Sequence, residues 1–269
     1  MILAVDIGNT NVVIGCIENE NVIHVGRIES AVTYSYEEYS NGIKDILNSG
    51  NIDIKDIEGS IISSVVPELT IILKKVVENL TGTIALVVNS ELKTGLNIMV
   101  QNPSQLGSDR IVDTVSATHY YGKPVITIDM GTATTVSVVD ENSNFLGGMI
   151  TLGVKSSLDA LSNKAAQLPN INLELCGNII GKNTIECMQS GIIYGHAAMV
   201  DGIVYRLKKQ VGKDAKVVAT GGLAHLIIPH CEEKIIYDEH LLLKGLYLLY
   251  RKKPHRIQNY MKQKFEEGL

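Results

Sequence analysis

The sequence predicts an α/β protein built from two related halves, and three observations carry that expectation. Apolar, β-branched runs alternate with stretches whose apolar residues recur at helical spacing. The opening, MILAVDIGNTNVVIGCIENENVIHVGR, recurs as PVITIDMGTATTVSVVDENSNFLGGMI and can be laid on it without a gap, at the offset that carries Asp6 onto Asp129. In both copies the first apolar strand runs into Asp-x-Gly.

The elements follow in order. ILAV, NVVIGCI and VIHVGRI read as three strands, with the turn clusters DIGNT and ENEN between them. SYEEYSNGIKDILNSG has helical spacing at Tyr39, Ile43, Ile46 and Leu47, and Gly50 is a plausible stop. GSIISSVV is a strand. Pro67 fits the first turn of the helix that follows it, which Gly82 ends. TIALVVN is another strand, and DRIVDTVSATHYYG is a helix leading into the second copy. Late in the chain, KVVATGGLAHLI echoes SIISSVVPEL: a β-rich strand, a small-residue turn, then a helix. The expected domains are residues 1–118 and 119–269. If an approximate two-fold relates them, Asp6 and Asp129 face each other across a cleft.

Composition narrows the function. Of 269 residues, 45% are hydrophobic and 20% charged, as in a soluble globular protein with a substantial core. A net charge of −5 gives no general attraction to nucleic acid or an anionic membrane. No run approaches the roughly 18 apolar residues of a membrane span, and no basic segment followed by an apolar one opens the chain. The expected setting is cytoplasmic. Cys16, Cys176, Cys187 and Cys231 lack metal-type spacing and read as reduced thiols packed as small apolar groups. RKKPHR at 251–256 reads as the solvated start of a C-terminal tail.

The paired turns suggest phosphate chemistry. Two carboxylates facing one cleft repel unless a cation lies between them, and Mg²⁺ with oxygen ligands usually accompanies nucleotide phosphates. Gly8 and Gly131 let the backbone approach, while Asn9, Thr10, Thr132, Thr134 and Thr135 offer side-chain donors. The turn Thr220–Gly222 opens a helix, whose N-terminus favours anions. No G-x-x-x-x-G-K-[ST] loop or G-x-G-x-x-G is present, and GVKSS at 153–157 is only a fragment of the former. In GSDR, Arg110 beside Asp109 would suit a substrate with both a carboxylate and a hydroxyl. A plain helix cap with an Asp–Arg pair is the structural alternative. Asn183-Thr184 likewise reads as a cap for the helix after it.

The duplicated hairpin resembles the actin–Hsp70–sugar-kinase superfamily, with two RNase H-like (actin-like ATPase) domains around a nucleotide cleft. More closely, DIGNTN, NPSQLGSDRIVDTVSA, DMGTATT, LPNINL, GKNT and ATGGLAHLI, in that order, resemble type III pantothenate kinase. The resemblance implies ATP-dependent phosphorylation of pantothenate, the first step of coenzyme A biosynthesis. It implies that Asp6, Ile7, Gly8, Asn9, Thr10, Asn11, Val12 and Val13 bind ATP phosphates and that Thr132 contacts ATP. Asp109 would be the general base, and Gly107, Ser108, Asp109 and Arg110 would line the pantothenate pocket, with Thr184 contacting pantothenate. Asp129 would ligate a monovalent cation, K⁺ or NH₄⁺, and Asp6 is a candidate Mg²⁺ ligand. A homodimer is implied, with no nucleic-acid or membrane partner. Two positions depart from the family pattern: Val100 stands where many members have Tyr, and Leu152 where a Pro is common. The alternatives are a related small-molecule kinase and a catalytically silent nucleotide-binding regulator on the same fold.

Overall fold

β1 (Ile2–Ile7) is an apolar run in which every residue but Asp6 is fully buried. The computed structural model describes residues 1–89, 92–165, 167–174 and 177–252. From β1 the chain continues through β2 (Asn11–Glu18), β3 (Asn21–Glu29), α1 (Tyr36–Ser49), β4 (Gly59–Ser64), α2 (Pro67–Thr81) and β5 (Ala85–Val87). A capping box between Ser35 and Glu38 starts α1, which buries Tyr39, Ile43 and Leu47. Pro67 sits in the first turn of α2, and Gly82 ends it at φ 62°. The five strands form one sheet in the order β3-β2-β1-β4-β5, antiparallel on the β2 side of β1 and parallel on the β4 side.

Residues 97–100, including β6 (Asn97–Ile98), belong to a second unit, and the chain returns to the first for the start of α3 (Ser108–Tyr121). The second unit holds β7 (Val125–Met130), β8 (Ala133–Val139), β9 (Asn144–Leu152), α4 (Val154–Lys164), α5 (Thr184–Val211), β10 (Lys216–Thr220), α6 (Ala224–Ile227) and β11 (Ile236–Tyr237). Its strand order is β11-β10-β7-β8-β9-β6, the order of the first sheet with β6 added. The late echo between SIISS and KVVAT is therefore the equivalence of β4 and β10.

The last helix among the described residues, α7 (Leu241–Arg251), belongs to the first unit, which comprises the described residues of 1–96, 101–116 and 240–252. This differs from the expected continuous domain at 119–269. α7 is apolar almost all round and buries Leu243, Leu246, Leu249 and Tyr250 with Ile2, Ala4, Ile61 and Val112. Gly245 permits the approach, since a Cβ there would lie 2.4 Å from the Val112 carbonyl oxygen. Arg251 is the last residue of α7, pairs with Glu58 at 3.2 Å and donates to the Tyr247 hydroxyl at 3.1 Å. Arg251 and Lys252 are exposed, as expected of that segment, although Arg251 is bonded back to the fold; positions 253–256 lie outside the described residues.

The repeat is real, but it is not gapless. Asp6 pairs with Val13 across the first hairpin, whereas Asp129 pairs with Thr135, not Val136. Gly8 N–H donates to Asn11 O, and Gly131 N–H to Ala133 O, each at 3.1 Å. The second turn is one residue shorter, and Thr132 occupies the space of Asn9 and Thr10. The register then returns at the next turn, because β3 at 21–29 and β9 at 144–152 keep the original offset. Thr134 is consequently the counterpart of Val12. It is 1% exposed and on the same strand face as the buried Val136 and Val138. A phosphate donor was expected there; the structure turns this hydroxyl into the core instead.

Among the cysteines, Cys16 is buried and burial raises its thiol pKa to about 11. Burial raises that of Cys231 to about 12, with the Asp201 carboxylate adding to the effect. Cys187 is exposed, against expectation, and Cys176 lies outside the described residues.

Candidate active site

In the first unit, β1 alternates so that Leu3, Val5 and Ile7 face α1 and α2, while Ile2, Ala4 and Asp6 face the side covered by α3 and α7. Asp6 stands beside Ser63 in the parallel register of β1 and β4. Ser63 is fully buried, and its hydroxyl lies 3.0 Å from that of Ser108, the first residue of α3. The Ser108 hydroxyl also donates to Ser64 O at 3.0 Å and accepts from Ser64 N–H at 3.1 Å. The strand end beside Asp6 is thus bonded directly to the helix start that carries Asp109. The expected residues Asp6–Val13 and Gly107–Arg110 lie in one unit.

Asp109 Oδ1 accepts the Arg110 N–H at 2.8 Å. Burial pushes the Asp109 carboxyl above the usual carboxylate range, against the opposing pull of that hydrogen bond and of the Arg110 guanidinium. Burial lowers the Arg110 pKa, with Asp109 opposing. Gly107 leaves the carboxylate its place, since a Cβ there would lie 2.4 Å from Asp109 Oδ1. A carboxylate with raised proton affinity at a helix start suits a general base.

In the second unit, Asp129, the penultimate residue of β7, lies beside Thr220 of β10. Gly221, at φ 96°, presses against it. The turn Gly131–Thr132 rests on the start of α4: a Cβ on Gly153 would lie 2.3 Å from Thr132 O, and the Ser156 hydroxyl donates to that oxygen at 2.8 Å. The GVKSS segment is therefore not a phosphate loop but the support of one expected ATP contact. Its signal in the sequence was its position directly after the hairpin copy. Thr184 is the first, exposed residue of α5, after Asn183, whose side chain caps the helix by accepting from Glu186 N–H at 3.0 Å. The loop before it is held to α5 by a Ser190 hydroxyl bond to Ile179 O.

Two α/β units of shared topology, each closing its first hairpin on Asp-x-Gly, define the actin-like ATPase and sugar-kinase class of fold. Solved structures of that architecture include component A of (R)-2-hydroxyglutaryl-CoA dehydratase from Acidaminococcus fermentans, with TM-score 0.56, 14% identity, and 92% and 96% of the two chains covered. The ethanolamine utilization protein EutJ from Carboxydothermus hydrogenoformans gives TM-score 0.55 at 13% identity, over 92% of this chain and 89% of its own. These distant likenesses concern the fold alone. The family model for type III pantothenate kinase matches residues 2–206. A type III pantothenate kinase from Exiguobacterium sp. is 43% identical over 252 residues, covering 94% of this chain and 99% of its own. The chain belongs to the type III pantothenate kinase family.

Proposed function

We propose that Asp109 is the general base in the reaction of this family, the ATP-dependent phosphorylation of pantothenate that opens coenzyme A biosynthesis. The primary hydroxyl of pantothenate attacks the γ-phosphorus of ATP. The bond from that phosphorus to the β,γ-bridging oxygen breaks, ADP leaves, and the hydroxyl proton passes to the Asp109 carboxylate. The observation that carries this reading is the bonded path from the end of β4, beside Asp6, through Ser63 and Ser108 to the start of α3. It fixes the strand end beside Asp6 and the partly buried Asp109 carboxylate in one frame. Arg110 binds the pantothenate carboxylate, Gly107 and Ser108 line its pocket, and Thr184 is a further proposed contact to pantothenate. Asp6–Val13 hold ATP phosphates and Thr132 contacts ATP.

Asp129 is the proposed ligand for K⁺ or NH₄⁺. A carboxylate oxygen suits a hard cation, and a side chain at position 221 would fill the space against Asp129. Asp6 is the proposed carboxylate for Mg²⁺. Both cations would neutralise phosphate charge. No helix among the described residues is long and apolar enough to cross a membrane, and a cytoplasmic setting is part of the reading.

The homodimer rests on exposed apolar surface in the second unit. Along β9, Ile150 is 68% and Leu152 53% exposed, and among the described residues β6 pairs with β9 only at Asn144 and Phe145. A light-scattering mass of two chains that drops to one in Ile150→Glu supports this interface; an unchanged dimer in that variant removes it.

The test of the function is ADP release with pantothenate, Mg²⁺-ATP and K⁺. Pantothenate-dependent turnover that falls about a hundredfold or more in Asp109→Asn supports the base. Turnover that survives the substitution removes Asp109 from that role.

A further inference from the structure

We infer that Ser63, a fully buried serine on a strand, is a positioning residue for phosphoryl transfer: it holds the start of α3, and through it Asp109, in register with the strand end beside Asp6. The inference rests on the reading of Asp109 as the base.

The hydrogen bonds assign each proton. The Ser108 hydroxyl has one proton, which it gives to Ser64 O at 3.0 Å. It must therefore accept at its other two contacts, Ser64 N–H at 3.1 Å and Ser63 at 3.0 Å. That makes Ser63 the donor and uses the full bonding capacity of the Ser108 hydroxyl. Two of these bonds run to the backbone of one strand residue, Ser64, and tether the helix start to the end of β4. Ser63 adds the third, from a site with no exposure to water. Without it, Ser108 keeps two bonds but loses the one that sets its orientation against β1 and β4.

The consequence falls on one coordinate, the placement of Asp109 relative to the turn after β1. Asp109 follows Ser108 directly, and the Arg110 N–H holds its carboxylate in the space that Gly107 leaves. A sub-ångström shift of the helix start would move the base off the acceptor hydroxyl while leaving Asp6–Val13 where they are. Misplacement on this scale lowers turnover more than it weakens binding. Ser63 touches no substrate in this account; it acts through Ser108.

The experiment is a cycle of Ser63→Ala, Asp109→Asn and the double variant, read as kcat and as KM for ATP and for pantothenate. Ser63→Ala is expected to lower kcat about tenfold with KM for ATP unchanged within about twofold. In the Asp109→Asn background the same substitution is expected to change kcat by less than about twofold, because the group it positions is gone. An equal loss of kcat in both backgrounds would mean a general structural defect and would overturn the inference. A rise in KM for ATP with kcat intact would also overturn it and assign Ser63 to the phosphate turn beside Asp6. Full turnover in Asp109→Asn alone would instead overturn the base assignment, and the positioning role with it.

Discussion

Gly221 and Asp129 are in contact so close that a side chain on the glycine has no room. A Cβ at position 221 would lie 2.5 Å from Asp129 Oδ1 and 2.5 Å from the Met130 nitrogen, and the backbone there has φ 96°. Gly221→Ala therefore meets both a strained backbone and backbone atoms that cannot move aside. The expected outcome is a loss of about 1–3 kcal/mol in stability, seen as a lower melting temperature. The displaced carboxylate should also raise the K⁺ concentration for half-maximal activity severalfold. A melting temperature that falls while the K⁺ dependence stays put would separate the glycine's structural role from the proposed cation site.

Gly107 makes the opposite kind of contact. Its missing Cβ would press on Asp109 Oδ1 at 2.4 Å, the mobile end of a side chain, with Val65 Cγ1 at a comfortable 3.8 Å. The fold can accommodate Gly107→Ala by turning the carboxylate. Folding should survive with little change in melting temperature, and kcat should fall about tenfold through the moved base. Unchanged kcat would show that the carboxylate position seen here is not the one the reaction needs.

Asp109 also has a signature in stability. Burial raises its folded pKa above the ordinary 3.8, so the folded protein holds the proton more tightly than the unfolded chain. The folded state bears no penalty below 3.8. It loses stability as pH rises from 3.8 through the folded pKa. Asp109→Asn removes the charge. The variant should melt at a higher temperature than the wild type at pH 7, with the gap closing toward pH 4. A gap that stays constant across that range would mean the carboxyl is not destabilised by burial.

Much of this was legible in the sequence, and the failures have physical reasons. The Asp-x-Gly hairpins, Pro67 and Gly82 are local signals and stand where expected. The one-residue gap was hidden because β2 has apolar residues on both faces, so a slip by one residue still laid Val13 on Val136. Only the pairing of Asp129 with Thr135 exposes it. α7 announces burial through its leucines, but nothing in a helix names the sheet it will cover. Ser63 and Ser64 read as neutral strand residues, because their partner lies 44 or 45 residues away on Ser108.

The second unit contains a histidine whose titration can be read directly. His196 of α5 is 8% exposed; its Nε2 lies 3.1 Å from the Ser157 hydroxyl of α4, and its Nδ1 has no hydrogen-bond partner among the described residues. Burial lowers its pKa below the ordinary 6.5. The unfolded chain therefore takes up a proton at a pH where the folded protein does not. Stability attached to His196 is whole above 6.5 and is lost as pH falls from there toward the depressed folded value. Ser157 lies one turn after Gly153, the residue against the Thr132 carbonyl, so the loss is centred on the support of that turn. His196→Gln keeps a donor for Ser157 and does not titrate. Its melting temperature should fall less than that of the wild type between pH 7.5 and 5.5, and comparing the two curves cancels the other histidines. Parallel curves would show that His196 takes up its proton as readily in the folded protein as in the unfolded chain.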